Sequence, residues 1–400
     1  MLLGFTFLMT GYVLVRTKTD SELQANNLRD IQIDGFRSLL AFLVIVWHYF
    51  LQRDLISMYA MEWGGAPQVS KIVLNSGAWS VQMFFGITGY LFTQKLVNSR
   101  SKNIDWLAFF IGRIFRLIPV CLICASVIFL ISPQSYGHYA SSTSNYKWIL
   151  HIVNLGTSSI RQGVSPFPSV PLWEHWVSIG PHWTLHYEWF FYALLPLISI
   201  FFRTKQKFLW CVVALFVVTV LMKNPTEFFR SLNDVTWAFI PGLLLGMSSK
   251  FWKESSLFRH PITAAVAVIL AAVSAFTVSI EVKLPINTFF LAVLISKNPL
   301  TRFFESKLLC SLGETTYSVY LLHCLVQYVT LKWVVTPTLA RSMPEWLWWL
   351  TCALQVIVIV VVGRLSFEYV EKPGIEAGKR FYAWLMNLFE RRAKWLLNWI

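Results

Sequence analysis

Charge is what this sequence has least of. Only 14% of its 400 residues are Asp, Glu, Lys or Arg, and just 20 of them are acidic. A water-soluble domain carries about 25% charged residues, so this chain cannot cover a water-facing exterior. The same scarcity excludes a charge-expanded disordered chain, and the lack of a Gly-X-Y period excludes a collagen-like fibre. Six cysteines are too few for a disulfide framework, and all fall in or beside apolar runs. Cys121 and Cys124 therefore read as small packing groups on a membrane helix, not as redox or metal chemistry. No internal repeat and no low-complexity tract is visible.

What the chain has in excess is apolar and aromatic. Hydrophobic residues make up 56% of it, with 19 Trp and 32 Phe, and the mean hydropathy is +0.55. Such side chains suit a bilayer interior and its headgroup boundaries. The expected fold is all-α: a polytopic membrane helical bundle. The net charge of +14 does not point to nucleic acid, because no basic cluster sits on a soluble module. Basic residues in membrane proteins gather instead in cytoplasmic loops.

A spanning helix needs about 20 mainly apolar residues. Ten runs qualify, at 37–52, 74–94, 115–132, 184–202, 208–222, 235–249, 262–280, 285–296, 314–331 and 346–363, the eighth being the weakest. Residues 2–15 read as an interfacial helix, and 148–156 as a re-entrant or interfacial piece too short to span. With the N-terminus in the cytoplasm and sides alternating, 25 of the 34 Lys and Arg fall on the inner side. That bias predicts about ten transmembrane helices with both termini cytoplasmic. The outer connection 133–183 is long enough to be functional. The chain thus divides into an N-terminal cytoplasmic or interfacial segment (1–32), a transmembrane domain (33–373) and a basic amphipathic tail (374–400) suited to an anionic inner leaflet.

Ionisable groups inside hydrocarbon are costly and usually functional. Arg37 and His48 share a helix face, being eleven residues or about three turns apart. His48 falls near mid-bilayer and could act as a general base; the plainer reading is a buried neutral His bonded to a neighbouring helix. Glu188 is the one acidic residue clearly inside an apolar run, and a His on another helix is its economical partner. Paired with a His it could orient the ring. His182 and His186 beside it allow a metal reading, but no H-E-x-x-H pattern is present and no metal is expected. Arg113 and Arg116 at i, i+3 could grip a diphosphate, or simply snorkel to the inner boundary. His323 could be a second active-site group or a helix-packing hydrogen bond.

Together these residues carry a resemblance. Ile33-Asp34-Gly35-Phe36-Arg37 through His48 resembles the Arg-x10-His signature of the acyltransferase-3 family of integral membrane O-acyltransferases. Phe84-Phe85-Gly86-Ile87-Thr88-Gly89 is similar to its Phe-Phe-x-x-Ser-Gly segment, with Thr88 where Ser is usual. Arg113 and Arg116 match an Arg-x-x-Arg element, and Trp183-Thr184-Leu185 through Glu188 resembles a Trp-Ser-Leu-x-x-Glu element. Leu312-Gly313-Glu314 through His323, and Phe367-Glu368-Tyr369-Val370-Glu371-Lys372-Pro373, resemble its closing motifs. Gln82, often Asp in the family, and His186-Tyr187 depart from the pattern and leave the acceptor open.

The resemblance implies transfer of an acyl group, usually acetyl, from cytoplasmic acetyl-CoA as co-substrate to a hydroxyl of a cell-surface or lipid-linked carbohydrate. By analogy Arg113 and Arg116 would face the donor's phosphates, Arg37 would also contact the donor, and His48 would be the base. Glu188 would orient a catalytic His, with His323 as a further candidate. The implied partners are the lipid bilayer and a carbohydrate or glycolipid acceptor, the setting the bacterial inner membrane. The alternative is a transporter or flippase for a glycan or lipid-linked substrate, in which His, Glu and Arg line a path.

Overall fold

A computed structural model describes residues 30–60, 71–98, 104–131, 180–201, 237–276, 280–335, 339 and 342–397, and among them there are helices and no strands. The expected run 208–222, the segments 2–15 and 148–156, and most of 133–183 lie outside the described residues. The long helices are α1 (Ile31–Ala60), α2 (Lys71–Asn98), α3 (Trp106–Ile131) and α4 (Trp183–Phe201), the last entered through a 3-10 turn, Gly180–His182. A second 3-10 turn, Trp237–Phe239, leads into α5 (Ile240–Met247), followed by short α6 (Ser249–Glu254) and α7 (Ser256–Arg259). Then come α8 (Pro261–Phe276), α9 (Ile280–Leu294), α10 (Pro299–Phe304), α11 (Lys307–Glu314), α12 (Thr316–Trp333), α13 (Glu345–Ser366) and α14 (Lys372–Leu397). Among the described residues three stretches are long and apolar enough to cross a membrane: Ile31–Phe50, Trp106–Cys124, and one that runs from Glu345 through α14 to Arg392.

Helix ends fall where the sequence supplies caps. Asp105 accepts the Ala108 N–H at 2.8 Å and starts α3. Asn298 and Thr301 cap each other's backbone, with Pro299 opening α10. Ser306 accepts the Leu309 N–H to start α11. The run 235–249 is broken into a turn and two short helices, so it is not one continuous helix.

α1 is the hub, packed on α2, α11, α12, α10 and α13. Its inner-core face (Ile33, Phe36, Leu40, Ile45) meets Met83, Phe290, Phe304 and Val360 in the largest apolar cluster. Buried polar groups tie the helices: Asn287 accepts from Trp79 Nε1 at 3.1 Å and Ser274 Oγ at 2.9 Å, joining α2, α8 and α9. Where side chains would keep backbones apart, glycine removes them. A Cβ at Gly242 would lie 1.8 Å from the Gly86 carbonyl oxygen, and one at Gly313 would lie 1.9 Å from that of Asp34. Small residues of this kind are how membrane helices approach closely. Cys121, Cys124, Cys310, Cys324 and Cys352 are buried free thiols, in keeping with packing roles.

The C-terminal helix also packs on the bundle. Gly374 and Gly378 of α14 sit against Phe115 of α3, and Phe115 and Phe381 rings lie 5.4 Å apart. The Tyr382 hydroxyl donates to Asp105. The Ala108 amide and that hydroxyl together hold the Asp105 carboxyl below its usual range.

Gly242→Leu is expected to abolish the folded state, read as loss of a monodisperse detergent-solubilised species, because α5 would have to leave α2. Gly112→Ala, with nothing within 4 Å of its added Cβ, should keep or raise the melting temperature, since Ala is the better helix former.

Candidate active site

One deeply buried polar feature is a pair of imidazoles. His323 Nε2 lies 3.0 Å from His48 Nδ1, and His48 and His323 are 6% and 0% exposed. His323 Nδ1 is 2.6 Å from the Tyr320 carbonyl, and His48 Nδ1 is 3.0 Å from that of Val44. A carbonyl can only accept, so both Nδ1 atoms carry hydrogen. In the neutral rings His323 Nε2 is then an acceptor and takes a share of the His48 Nδ1–H. His48 Nε2 is left as a lone pair with no hydrogen bond among the described residues. Backbone and neighbouring ring thus fix the tautomer that a base requires. The Trp47 ring packs against His48 at 4.4 Å.

Cys324 Sγ is 3.4 Å from His323 Nε2. Its sulfur and one nitrogen from each ring lie within 4.8 Å of one another, the group among the described residues able to hold a metal ion by geometry. The ring nitrogens concerned are already engaged with each other and with backbone carbonyls. The arrangement is that of a hydrogen-bonded pair.

A cavity of about 1190 Å³ lies beside the pair, lined by Arg37, Lys95, Arg113, Arg116, Arg364 and Lys372 among the cations. Carboxylates line it as well, and several are paired: Glu371 to Arg116 at 3.1 Å, Glu368 to Arg364 at 2.7 Å, and Asp34 to Arg37 at 3.6 Å. Arg113 has no carboxylate partner among the described residues. Its guanidinium stands over the rings of Phe92, Phe109 and Tyr192 at 5.4, 5.7 and 5.8 Å, and its Nε is buried without a hydrogen bond. Such a cage holds a cation's direction while leaving its charge unspent.

Arg113, Arg116, Arg37 and Glu188 are therefore brought together in one cavity. His48 and His323 are brought together next to it but do not line it. Glu188 accepts from the Tyr192 hydroxyl at 2.8 Å and bonds neither histidine; the His48 ring is oriented by His323 and Val44 instead. A smaller cavity of about 60 Å³ shares Arg37, Phe84, Glu188 and Tyr317 with the large one and reaches Thr184 and Tyr320. Tyr320 packs on His323 at 5.8 Å between rings. Basic cavity and imidazole pair are thus separated by one aromatic layer.

Sequence reasoning missed Glu371. It is 0% exposed, bonds Arg116 Nε through Oε1 and accepts from Ser318 Oγ at 2.9 Å through Oε2. Its signal was present, since it stands in the closing motif and is an acid at the end of an apolar run. Glu371→Gln is expected to lower stability by up to about 3 kcal/mol by leaving a buried guanidinium short of its countercharge. The double variant with Arg116→Gln should recover much of that loss, as read by thermal unfolding in detergent.

The family model described as an acyltransferase domain matches residues 30–364. O-acetyltransferase OatA of Staphylococcus aureus is 22% identical over 385 residues, covering 88% of this chain and 58% of that protein. The chain thus spans somewhat more than half the length of that relative. Nodulation protein 10 of Rhizobium leguminosarum bv. viciae is 24% identical over 319 residues, covering 74% of this chain and 82% of the relative. No solved structure matches the chain. With a match across most of its length, through the histidine pair and the arginine-lined cavity, the chain belongs to the acyltransferase-3 family.

Proposed function

We propose that this protein is a membrane-embedded O-acetyltransferase that moves an acetyl group from cytoplasmic acetyl-CoA to a hydroxyl of a cell-surface or lipid-linked carbohydrate. The observation that carries the reading is the His48–His323 hydrogen bond, which leaves His48 Nε2 free to accept a proton. The relatives' names support the acetyl group and the oxygen acceptor. The setting is the inner membrane, with about ten spans and both termini on the cytoplasmic side, as the Lys and Arg distribution favours.

The donor carries phosphates and a long, thin arm ending in a thioester. Arg113 offers its caged guanidinium to the phosphates, while Arg116, tied to Glu371, offers its remaining N–H groups. Arg37 lines both the large cavity and its small extension, the direction in which the arm would point toward Tyr320 and His323. His48 Nε2 then removes the proton of the acceptor hydroxyl as its oxygen attacks the thioester carbonyl. The carbon–sulfur bond breaks, and the departing thiolate takes the proton back from His48. His323 accepts the hydrogen bond of His48 Nδ1 throughout and disperses the imidazolium charge. Glu188 and Tyr192 form the polar wall of the donor cavity.

General-base action contributes about 10²–10⁴-fold, so His48→Ala with normal folding should lose nearly all transfer from radiolabelled acetyl-CoA. Retained transfer would remove His48 from the chemistry. An acyl-His intermediate is the competing route; label held on the protein in the absence of acceptor identifies it. A transporter would neither hydrolyse acetyl-CoA nor transfer from it.

A further inference from the structure

Around Ile45 the bundle buries amide atoms that have no hydrogen-bond partner among the described residues. Gln327 Nε2 donates to the Ile45 carbonyl at 2.9 Å, but its Oε1 is buried without a partner. Gln355 is buried with neither Oε1 nor Nε2 bonded. The two side chains are 0% and 4% exposed. Buried polar atoms in native proteins nearly always find partners, and orphans call for an explanation. Here three orphaned atoms converge.

Their placement follows from contacts along the helices. Tyr49 bonds Thr351 at 2.6 Å, and Phe50 packs on Trp349 at 4.8 Å. One step forward on α1 is thus a step back on α13, and the two run antiparallel. One turn back from Tyr49 is Ile45, and one turn on from Thr351 is Gln355, so both stand at one level. Gln327 reaches that level through its bond to Ile45. The His48 ring also folds back there, bonding the adjacent Val44 carbonyl. Two amides and the imidazole pair share one depth, and neither amide lines the basic cavity.

We propose that Gln327 and Gln355 form the acceptor subsite, presenting two amide oxygens and one amide NH2 group to the hydroxyls of a neutral polyol beside His48. This rests on the acyltransferase reading above and adds the residues that choose the acceptor. A polyanionic donor needs cations; a sugar offers alternating donors and acceptors, which uncharged amides match without a charge penalty. Substrate hydroxyls are what a site of unpaired amides discriminates best, because a ligand lacking them leaves the amides unsatisfied.

The test uses the full chain in detergent, [14C]acetyl-CoA and chemically deacetylated surface glycan from the producing cells as acceptor. Gln355→Met and Gln327→Met keep volume while removing the amide. Acceptor KM should rise at least tenfold in each and the KM for acetyl-CoA should stay within twofold; the melting temperature of Gln355→Met should hold or rise, because a wholly orphaned amide is lost, whereas Gln327→Met also gives up its bond to Ile45. An unchanged acceptor KM overturns the proposal and assigns the amides to ordered water. A joint rise in both KM values, or a fall in the melting temperature of Gln355→Met, overturns it in favour of a structural role. Failure of the acyltransferase reading is separately visible, as wild-type protein that does not consume acetyl-CoA.

Discussion

The hydrogen bond between His48 and His323 is the constraint on which the rest of the site depends. In an apolar bundle a polar ring cannot fall back on water, so its partners must be built into neighbouring helices. Each ring is held at Nδ1 by the carbonyl of its own helix, and the pair is closed by a ring of the other. That geometry needs α1 and α12 in close register. Gly313 of α11 lets the Asp34 carbonyl of α1 approach just before α12 begins, and Gln327 of α12 bonds Ile45. The bond specifies a tautomer as much as it contributes stability.

Charge and neutral polarity are kept apart. The cations face the large cavity, where carboxylates pair with Arg37, Arg116 and Arg364 and an aromatic cage holds Arg113. Guanidinium suits this duty better than ammonium: Arg116 holds Glu371 through Nε and keeps the N–H groups of its two other nitrogens for the cavity, whereas all the donors of a Lys share one atom. The imidazoles and the two glutamines lie outside that cavity lining. A base set among such an array of guanidinium groups would be harder to protonate during turnover.

The parts legible in the sequence are those that break the apolar pattern. Arg37, His48, Glu188, Arg113, Arg116 and His323 stand out because charge and imidazole are rare in such runs, and all six lie at the cavity or the pair. The helices α1, α3 and α13 are legible from apolar length alone. Pairing is not. His48 and His323 are 275 positions apart, and nothing local tells which distant group a buried ring will meet. For Glu188 the economical partner is a histidine, yet the structure gives Tyr192, one turn away. Gln327 and Gln355 do not stand out, because amides are common in helices and only burial without a partner makes them unusual. The short helices α10 and α11 escape a search for spanning runs because they are only 6 and 8 residues long, and caps mark them instead.

The C-terminal helix shows how a segment that reads as a surface tail can complete a buried site. Between α13 and α14 the chain makes a π-turn, Phe367–Glu371. An extra residue per turn rotates the succeeding helix by about 100°, and such bulges are frequent at functional sites. Here the turn ends on Glu371, directed at Arg116 and Ser318, while Glu368 within it pairs with Arg364 and Lys372. The next residues carry Gly374 and Gly378 onto Phe115 of α3, one position from Arg116. A regular helix through 367–371 could not present Glu371 to Arg116 and the two glycines to Phe115 at once, since the face would drift away. The π-turn is therefore the device that couples the seating of α14 to the orientation of the arginine in the basic cavity.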